Sequence, residues 1–301
     1  MRINKETMDN NNIYGYNILA FLDIMGQKEV LSKMDGVLEK EHCADEIKPL
    51  VKSTVGVIRF FRKSFRDFLE NCFQPTFTPL VYSEDRDIFD NMRSGTDFKF
   101  MNMSDAVVIW APVCGLKDVG YPKTIRTLWA MLQSVVGIVP LLLASGYSIR
   151  GGIDLEGGVS IDENGTDIYG PVLRRAYHLE SVEAQYPRIL IGEGVDNYLN
   201  HISNMHFENP MTEKYSKALV QYCRECMTHD DDGKLIVHFL GPALSRMIDV
   251  IPQEANYYKQ VLIPAGNFIA RSVNKYENDK KLGSRYKSLQ KYFDKYASFW
   301  E

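Results

Sequence analysis

The chain of 301 residues lacks the features that mark several large classes of protein. Its five cysteines are an odd number with scattered spacing, which predicts reduced thiols rather than a disulfide framework. Cys223 and Cys226 form one CxxC, and a zinc site that also used His229 would lack a fourth ligand, so the pair is interpreted as structural. The net charge of -4 gives no support for a general binder of nucleic acid or of membrane surfaces.

Targeting segments and long hydrophobic runs are missing as well. Residues 1–12 are polar and do not form a signal peptide. Residues 128–144 are the most apolar stretch, but Gln133, Ser134 and Pro140 interrupt it, and its strongly apolar part is short for a span of about 20 residues. We therefore expect a buried helix there and a cytoplasmic protein without a membrane span.

Apolar runs and amphipathic stretches predict an α+β fold with helices packed on a mainly antiparallel sheet. Strands are predicted at residues 16–25, 98–103, 106–112, 147–155, 188–192 and 235–240. Helices are predicted at residues 28–40, 45–70, 124–144, 171–183 and 195–202, and from 252 to the end. Residues 157–169 read as a glycine- and acid-rich connection.

The chain is expected to form one domain. Residues 1–204 are predicted to be its core, with an insertion at about 71–97, and residues 205–301 to extend it with a strand and helices. The last helix should dock on the domain or on a partner, because apolar side chains recur at three- and four-residue spacing: Tyr286, Leu289, Phe293 and Tyr296.

The helix predicted at 45–70 has one apolar and one basic face. Its basic side chains are Lys52, Arg59, Arg62, Lys63 and Arg66. Such a face is explained either by solvation or by attraction of a polyphosphate, and the sequence leaves both explanations open.

Two aspartates stand out among the residues that could carry chemistry. Asp23 ends an apolar run, and Asp105 lies at the turn of a predicted hairpin. A carboxylate in such a place is costly to bury unless it is paired or bound to a metal. Two of them at neighbouring strand ends could hold two magnesium ions, which favour a few carboxylates together with phosphate oxygens. The alternative is that they cap turns.

Four motifs resemble those of class III nucleotide cyclases, in the family's order and over about residues 14–195. They are FLDIMG at 21–26, MSDAVVIW at 103–110, RGGIDLEGG at 150–158 and DIYGPVLRRAYHLE at 167–180. The resemblance implies a class III cyclase-like fold, which is ferredoxin-like and palm-related. It also implies a homodimer with its sites at the interface.

The resemblance assigns roles to particular residues. Asp23 and Asp105 would ligate two Mg²⁺ or Mn²⁺ ions, and the backbone carbonyl of Ile24 would add a ligand. The turn at residues 25–28 would face the phosphates with its N–H groups. The phosphate-binding residues of that turn would be Gly26, Gln27 and Lys28.

The half of the site that reads base and ribose departs from the family. Asp167 stands where the family places a base-contacting residue, and Met101 replaces the lysine of adenylate cyclases. Arg174 stands at the asparagine that positions the ribose, and His178 at the transition-state arginine. Arg174, or the neighbouring Arg175, could supply the positive charge, and His178 could be a weaker substitute. The alternative is that these residues are surface charges of the helix.

These departures resemble the standalone pyrimidine cyclases of bacterial Pycsar antiphage systems. That likeness implies conversion of UTP, favoured over CTP, to the 3′,5′-cyclic mononucleotide and pyrophosphate, as a second messenger in antiphage defence that a separate effector protein senses. Alternatives are a purine cyclase acting on ATP or GTP, a non-catalytic cyclase-like module that regulates a partner, and a palm-like polymerase or dinucleotide synthase. Neither a nucleic acid nor a membrane is expected as a partner.

Overall fold

A computed structural model describes residues 14–27, 32, 44–74, 98–113, 120–161, 167–250, 257–297 and 300. The strands are β1 (Gly15–Ile24), β2 (Lys99–Met103), β3 (Ala106–Pro112), β4 (Ile149–Ser160), β5 (Ile168–Tyr169), β6 (Ile189–Ile191), β7 (Met227–His229) and β8 (Leu235–Val237). The helices are α1 (Ala44–Asn71), α2 (Gly120–Ala144), α3 (Pro171–His178), α4 (Glu193–Asn204), α5 (Pro210–Glu225), α6 (Pro242–Val250), α7 (Ile263–Lys275) and α8 (Lys280–Ala297). The predicted helix at 28–40 and most of the predicted insertion lie outside the described residues.

The strands form one sheet in the order β2-β3-β1-β4-β6-β8-β7, and β5 pairs with β4 beside this path. Only the pairing of β4 with β6 is parallel among the strand pairs described. The sequence-based prediction of an α+β fold on a mainly antiparallel sheet is therefore confirmed. Because β8 pairs with β6, the sheet continues past residue 204 into the predicted extension.

One face of the sheet is covered by α1 and α2. Ile18, Ala20 and Leu22 alternate along β1 and enter the same buried cluster as Phe61 and Phe65 of α1. Helix α2 is apolar enough to cross a membrane by length and composition, but 89% of its most apolar window is buried inside the fold. It is a core helix, as the polar interruptions in its sequence predict.

The opposite face carries the short helix α3. The side chains of Leu19, Phe21 and Val108 point to this face and bury Val172 and Ala176 of α3 in a second, smaller cluster. Contact is close because β4 has glycine at this crossing: a Cβ on Gly152 would lie 2.4 Å from the Ala176 carbonyl oxygen. A π-helical turn, Leu179–Glu183, continues α3.

Strand β4 is longer than the sequence suggests. Its pattern predicted a strand ending near residue 155, followed by a connection, but β4 runs to Ser160 and pairs there with β5. The prediction of an irregular connection at 157–169 is wrong at both ends, because the paired backbones satisfy each other's hydrogen bonds where the glycine-rich sequence gives no strand signal.

The last helix docks on the domain, which is one of the two outcomes that its sequence left open. Tyr286, Leu289 and Phe293 of α8 are buried against the main cluster. Cys223 and Cys226 are fully buried, and burial raises the pKa of both thiols, so they remain protonated. This favours the structural interpretation of the CxxC.

Candidate active site

The fold brings Asp23 and Asp105 to the same edge of the sheet. Asp23 is the second-last residue of β1 and pairs in register with Ala106, the residue after Asp105. The Ile24 N–H donates to the Asp105 carbonyl oxygen at 3.4 Å, which ties the end of β1 to the hairpin turn. We call Asp23 and Asp105 the acid pair.

Asp105 lies in a tight and strained turn. Met103 pairs with Ala106, so Ser104 and Asp105 form a two-residue hairpin loop. Ser104 has φ 53°, the only positive φ of a non-glycine residue in the described chain. A loop with positive φ at its first position alone is of the II′ kind, which normally has glycine there. Serine in the left-handed region costs about 1–2 kcal/mol.

The electrostatic environment of Asp23 is dominated by burial and by other acids. Burial, the charge of Asp105 and then that of Glu180 raise the pKa of the Asp23 carboxyl to about 7, against the opposing effect of Arg150. Arg150 is itself engaged, because its Nε donates to Glu180 Oε1 at 2.6 Å. Above this pKa, the acid pair carries negative charge that neighbouring side chains do not balance.

A divalent cation fits this donor set. One or two carboxylates together with phosphate oxygens are the ligands that Mg²⁺ uses in nucleotide sites. A cation would also offset the burial and the repulsion that raise the pKa of Asp23. Among the residues that the structure describes, no group of three or more His, Cys, Asp and Glu could hold a metal ion, so backbone and substrate oxygens would have to complete the shell.

The turn after β1 only partly matches the predicted phosphate site. The Met25 N–H donates to the Ser148 carbonyl oxygen at 2.9 Å, so the expectation that it faces the phosphates is corrected. Gly26 is exposed, with φ 92°, while the side chain of Gln27 is buried. Ile24 packs its side chain in the core. Lys28 lies outside the described residues.

The predicted catalytic residues Arg174 and His178 are not beside the acid pair. They line a cleft of about 690 Å³ on the other side of α3, next to the start of α4, and neither Asp23 nor Asp105 lines it. Both side chains are exposed, and His178 Nε2 lies 3.4 Å from Glu183 Oε1. The protomer therefore separates the metal half of the predicted site from these residues.

Asp154, one of the acidic residues that line this cleft, has a carboxylate with hydrogen-bond partners on both oxygens. Its carboxylate accepts from Arg175 Nε at 2.6 Å and from the Gly194 N–H, at the start of α4, at 3.0 Å. Close approach requires glycine, since a Cβ on Gly192 would lie 2.2 Å from the Asp154 carboxyl carbon. Arg175 is thus a structural partner of Asp154, although the sequence offered it as a source of catalytic charge.

The two predicted base-contacting residues are also apart from each other. Met101 is half-buried and packs against the cluster that contains Phe21 and Val108, on the same sheet face as the acid pair. Asp167 is exposed, and its carbonyl oxygen accepts from the Ile161 N–H at 3.2 Å. Asp167 lies beyond Gly158, the residue of β4 that pairs with Gly15 of β1. Gly15 precedes Asp23 by 8 residues (23 − 15), which is roughly 26 Å along a strand.

Three residues near the acid pair were not assigned from the sequence. Arg150 and Glu180 both stand inside the quoted motifs. The signal that could have found them is a charged residue where an element is buried: Arg150 lies in a core strand, and the side chain of Glu180 is buried. Arg62, whose Nη2 donates to the Ser104 carbonyl oxygen at 2.7 Å, carried no local signal beyond its place on a basic helix face.

Comparison with known proteins assigns neither a family nor a function to this chain. The chain matches no protein-family model and no curated protein.

Proposed function

We propose that the protein is a nucleotide cyclase that converts a pyrimidine nucleoside triphosphate, UTP in preference to CTP, to the 3′,5′-cyclic mononucleotide and pyrophosphate. The observation that carries this proposal is the acid pair, in which Asp23 and Asp105 meet at one sheet edge with uncompensated negative charge. The motifs at both positions resemble the metal motifs of class III nucleotide cyclases.

The topology supports the same proposal. Among the described elements, β1, α1, β2, β3, α2 and β4 follow one another, and their strands lie in the order β2-β3-β1-β4. This order is that of the split βαβ units of a ferredoxin-like fold. The resemblance to class III cyclases implies such a palm-related sheet, with the two aspartates where β1 and the β2–β3 turn meet.

The residues of the chain would act mainly by position and charge. Asp23 and Asp105 would hold two Mg²⁺ or Mn²⁺ ions, with the Ile24 carbonyl as a further ligand. A divalent cation supplies, when bound, neutralisation of the triphosphate and a lower pKa for the ribose 3′-hydroxyl. The 3′-oxygen bonds to the α-phosphorus, the bond from that phosphorus to the departing pyrophosphate breaks, and the hydroxyl proton passes to water.

A second copy of the chain completes the site in this proposal. Arg174, His178 and Asp167 lie away from the acid pair of their own protomer. Because class III cyclases build their sites at a dimer interface, we propose that a homodimer brings these residues of one chain to the acid pair of the other. The protein would then act in the cytoplasm, in antiphage defence, with its product sensed by a separate effector protein.

The preference for a pyrimidine rests on the base-reading positions. Met101 offers no charge where adenylate cyclases carry a lysine. The Asp167 carboxylate can accept from the ring N–H of uracil or from the amino group of cytosine or adenine. Uracil is favoured because its N–H needs only an acceptor of this kind.

The test is a turnover assay with each of the four ribonucleoside triphosphates and Mn²⁺, with products identified by mass. We expect cyclic UMP and pyrophosphate from the wild-type protein. Asp105→Ala should retain the fold and lower the rate by at least about 100-fold, as expected when transition-state charge stabilisation is lost. Asp67→Ala, at an exposed position of α1, is the matched control and should keep wild-type turnover.

Each contrary outcome selects an alternative. A clear preference for ATP or GTP would refute the pyrimidine assignment and leave a purine cyclase. Linked dinucleotides would indicate a dinucleotide synthase or a palm-like polymerase. No pyrophosphate release from any triphosphate would indicate a non-catalytic nucleotide-binding module, and undiminished turnover by Asp105→Ala would overturn the metal assignment.

A further inference from the structure

Two arginines of helix α1 contact the hairpin that carries Asp105. Arg62 Nη2 donates to the Ser104 carbonyl oxygen at 2.7 Å, at the turn itself. One helical turn further on, the Arg66 guanidinium lies 4.8 Å from the centre of the Phe100 ring, on β2. The buried face of α1, with Phe61 and Phe65 in the main core, fixes the helix from which both arginines reach out.

Arg62 donates to the carbonyl group of Ser104, the residue whose backbone conformation is strained. Ser104 keeps a left-handed φ of 53° without being glycine, and such a residue persists only where its surroundings determine it. The turn is held on its other side by the hydrogen bond from the Ile24 N–H to the Asp105 carbonyl oxygen. The peptide groups on both sides of the Asp105 Cα are therefore anchored, one by Arg62 and one by β1.

From this geometry we infer that Arg62 is a positioning residue of the site: it holds the Ser104 carbonyl, and through it sets the Asp105 carboxylate toward Asp23. The inference rests on the proposed function, since it concerns the metal affinity of the acid pair. It also divides the basic face of α1 by role. Arg62 acts through the turn, whereas Lys63, the next residue, is exposed on the same helix and carries the same charge.

The experiment compares Arg62→Met, Arg62→Lys and Lys63→Met. Calorimetry measures the binding of Mn²⁺ in the presence of α,β-methylene-UTP, which cannot be cyclised, and thermal melting reports on folding. Arg62→Met should weaken Mn²⁺ binding by about tenfold while the protein remains folded. Arg62→Lys should recover part of the loss, because it keeps a donor, and Lys63→Met should stay within about twofold of wild type.

A second variant separates positioning from direct contact with phosphate. Ser104→Gly removes the conformational penalty at the turn, because glycine adopts positive φ freely. In the Arg62→Met background it should restore at least half of the lost affinity on a logarithmic scale. If Arg62 instead bound the triphosphate directly, Ser104→Gly would restore nothing, and that result overturns the inference.

The other outcomes are equally decisive. Wild-type Mn²⁺ affinity in Arg62→Met, or an equal loss in Lys63→Met, would refute the positioning role while leaving the acid pair intact. If the wild-type protein binds no Mn²⁺, the metal site of the proposed function fails and the inference falls with it.

Discussion

Acidic residues on the two sides of helix α3 differ in whether the chain balances their charge. On the side of α4, Asp154 is almost wholly buried and its carboxylate is paired with Arg175 and with a backbone N–H at the start of a helix. On the side of β2 and β3, Asp23 faces Asp105 and Glu180, and its pKa is raised to about 7 by burial and by these charges. The same sheet face thus carries one acid that is neutralised by the fold and one pair that is not.

This difference separates a carboxylate that the chain itself pairs from two carboxylates that it leaves unbalanced. Removal of a buried carboxylate that the chain has paired is destabilising, because it leaves the partner charge uncompensated. A pair that the chain leaves unbalanced lowers stability, and we propose that this pair is retained because a cation binds it. The cleft that holds Asp154 contains Arg174 and His178, so the residues assigned to ribose and transition state lie on the balanced side.

The largest expected effect tests whether the two sides of α3 serve one site across two chains. Asp105→Ala and Arg174→Ala should each lose at least about 100-fold in turnover. When the two inactive proteins are mixed and allowed to exchange subunits, hybrid dimers regain one intact site. About a quarter of wild-type activity should return if the symmetry is that of a twofold dimer.

The control for this mixture is Asp105→Ala with Asp23→Ala. Both changes disable the acid pair, so their mixture should stay inactive whichever chain supplies Arg174. Activity in that mixture, or none with Arg174→Ala, would contradict a site shared between protomers. Arg174→Ala with wild-type turnover would show that the cleft side takes no part in the reaction.

On the balanced side, Asp154→Asn should destabilise the protein by about 3 kcal/mol. It removes the charge that pairs with Arg175 and weakens the contact with the start of α4. Urea unfolding measures the change. Asp196→Asn is the matched control, since its ion pair with Arg224 is much more exposed, and it should cost less than about 1 kcal/mol. Equal losses would mean that burial does not set the value of these pairs.

On the side of α3 that carries the acid pair, Asp23→Asn should have the smallest effect, and it should stabilise the protein rather than destabilise it. Without divalent cations it removes a half-buried charge that Asp105 and Glu180 repel, so the melting temperature should rise by about 2–4 °C, the equivalent of about 1 kcal/mol. Addition of Mn²⁺ should stabilise the wild-type protein and leave Asp23→Asn unchanged. A drop in melting temperature without cations would show that the acid pair is balanced after all.

The sequence predicted the elements that have strong local patterns. The β2–β3 hairpin, α1 and α2 are confirmed within a few residues, because alternation and helical spacing of apolar side chains are signals that neighbours in the chain provide. The extent of β4 was missed because its end is stabilised by pairing with β5, which glycine-rich sequence does not announce. The role of Arg175 as the partner of Asp154 was missed for the same reason, since the two lie 21 residues apart.

The sequence by itself determined that Asp23 closes an apolar run and that Asp105 lies at a hairpin turn, where burial makes a lone carboxylate costly. It also determined the motifs around them, which resemble those of class III nucleotide cyclases. The tertiary structure decided that these aspartates meet, because β1 and β3 pair in a register that puts Asp23 beside the turn. It also decided that Arg174 and His178 fall across α3 from the acid pair. The sequence determines the residue types and their local spacing. Only the register of the strands and the packing of the helices bring particular charges together, because those charges are far apart along the chain.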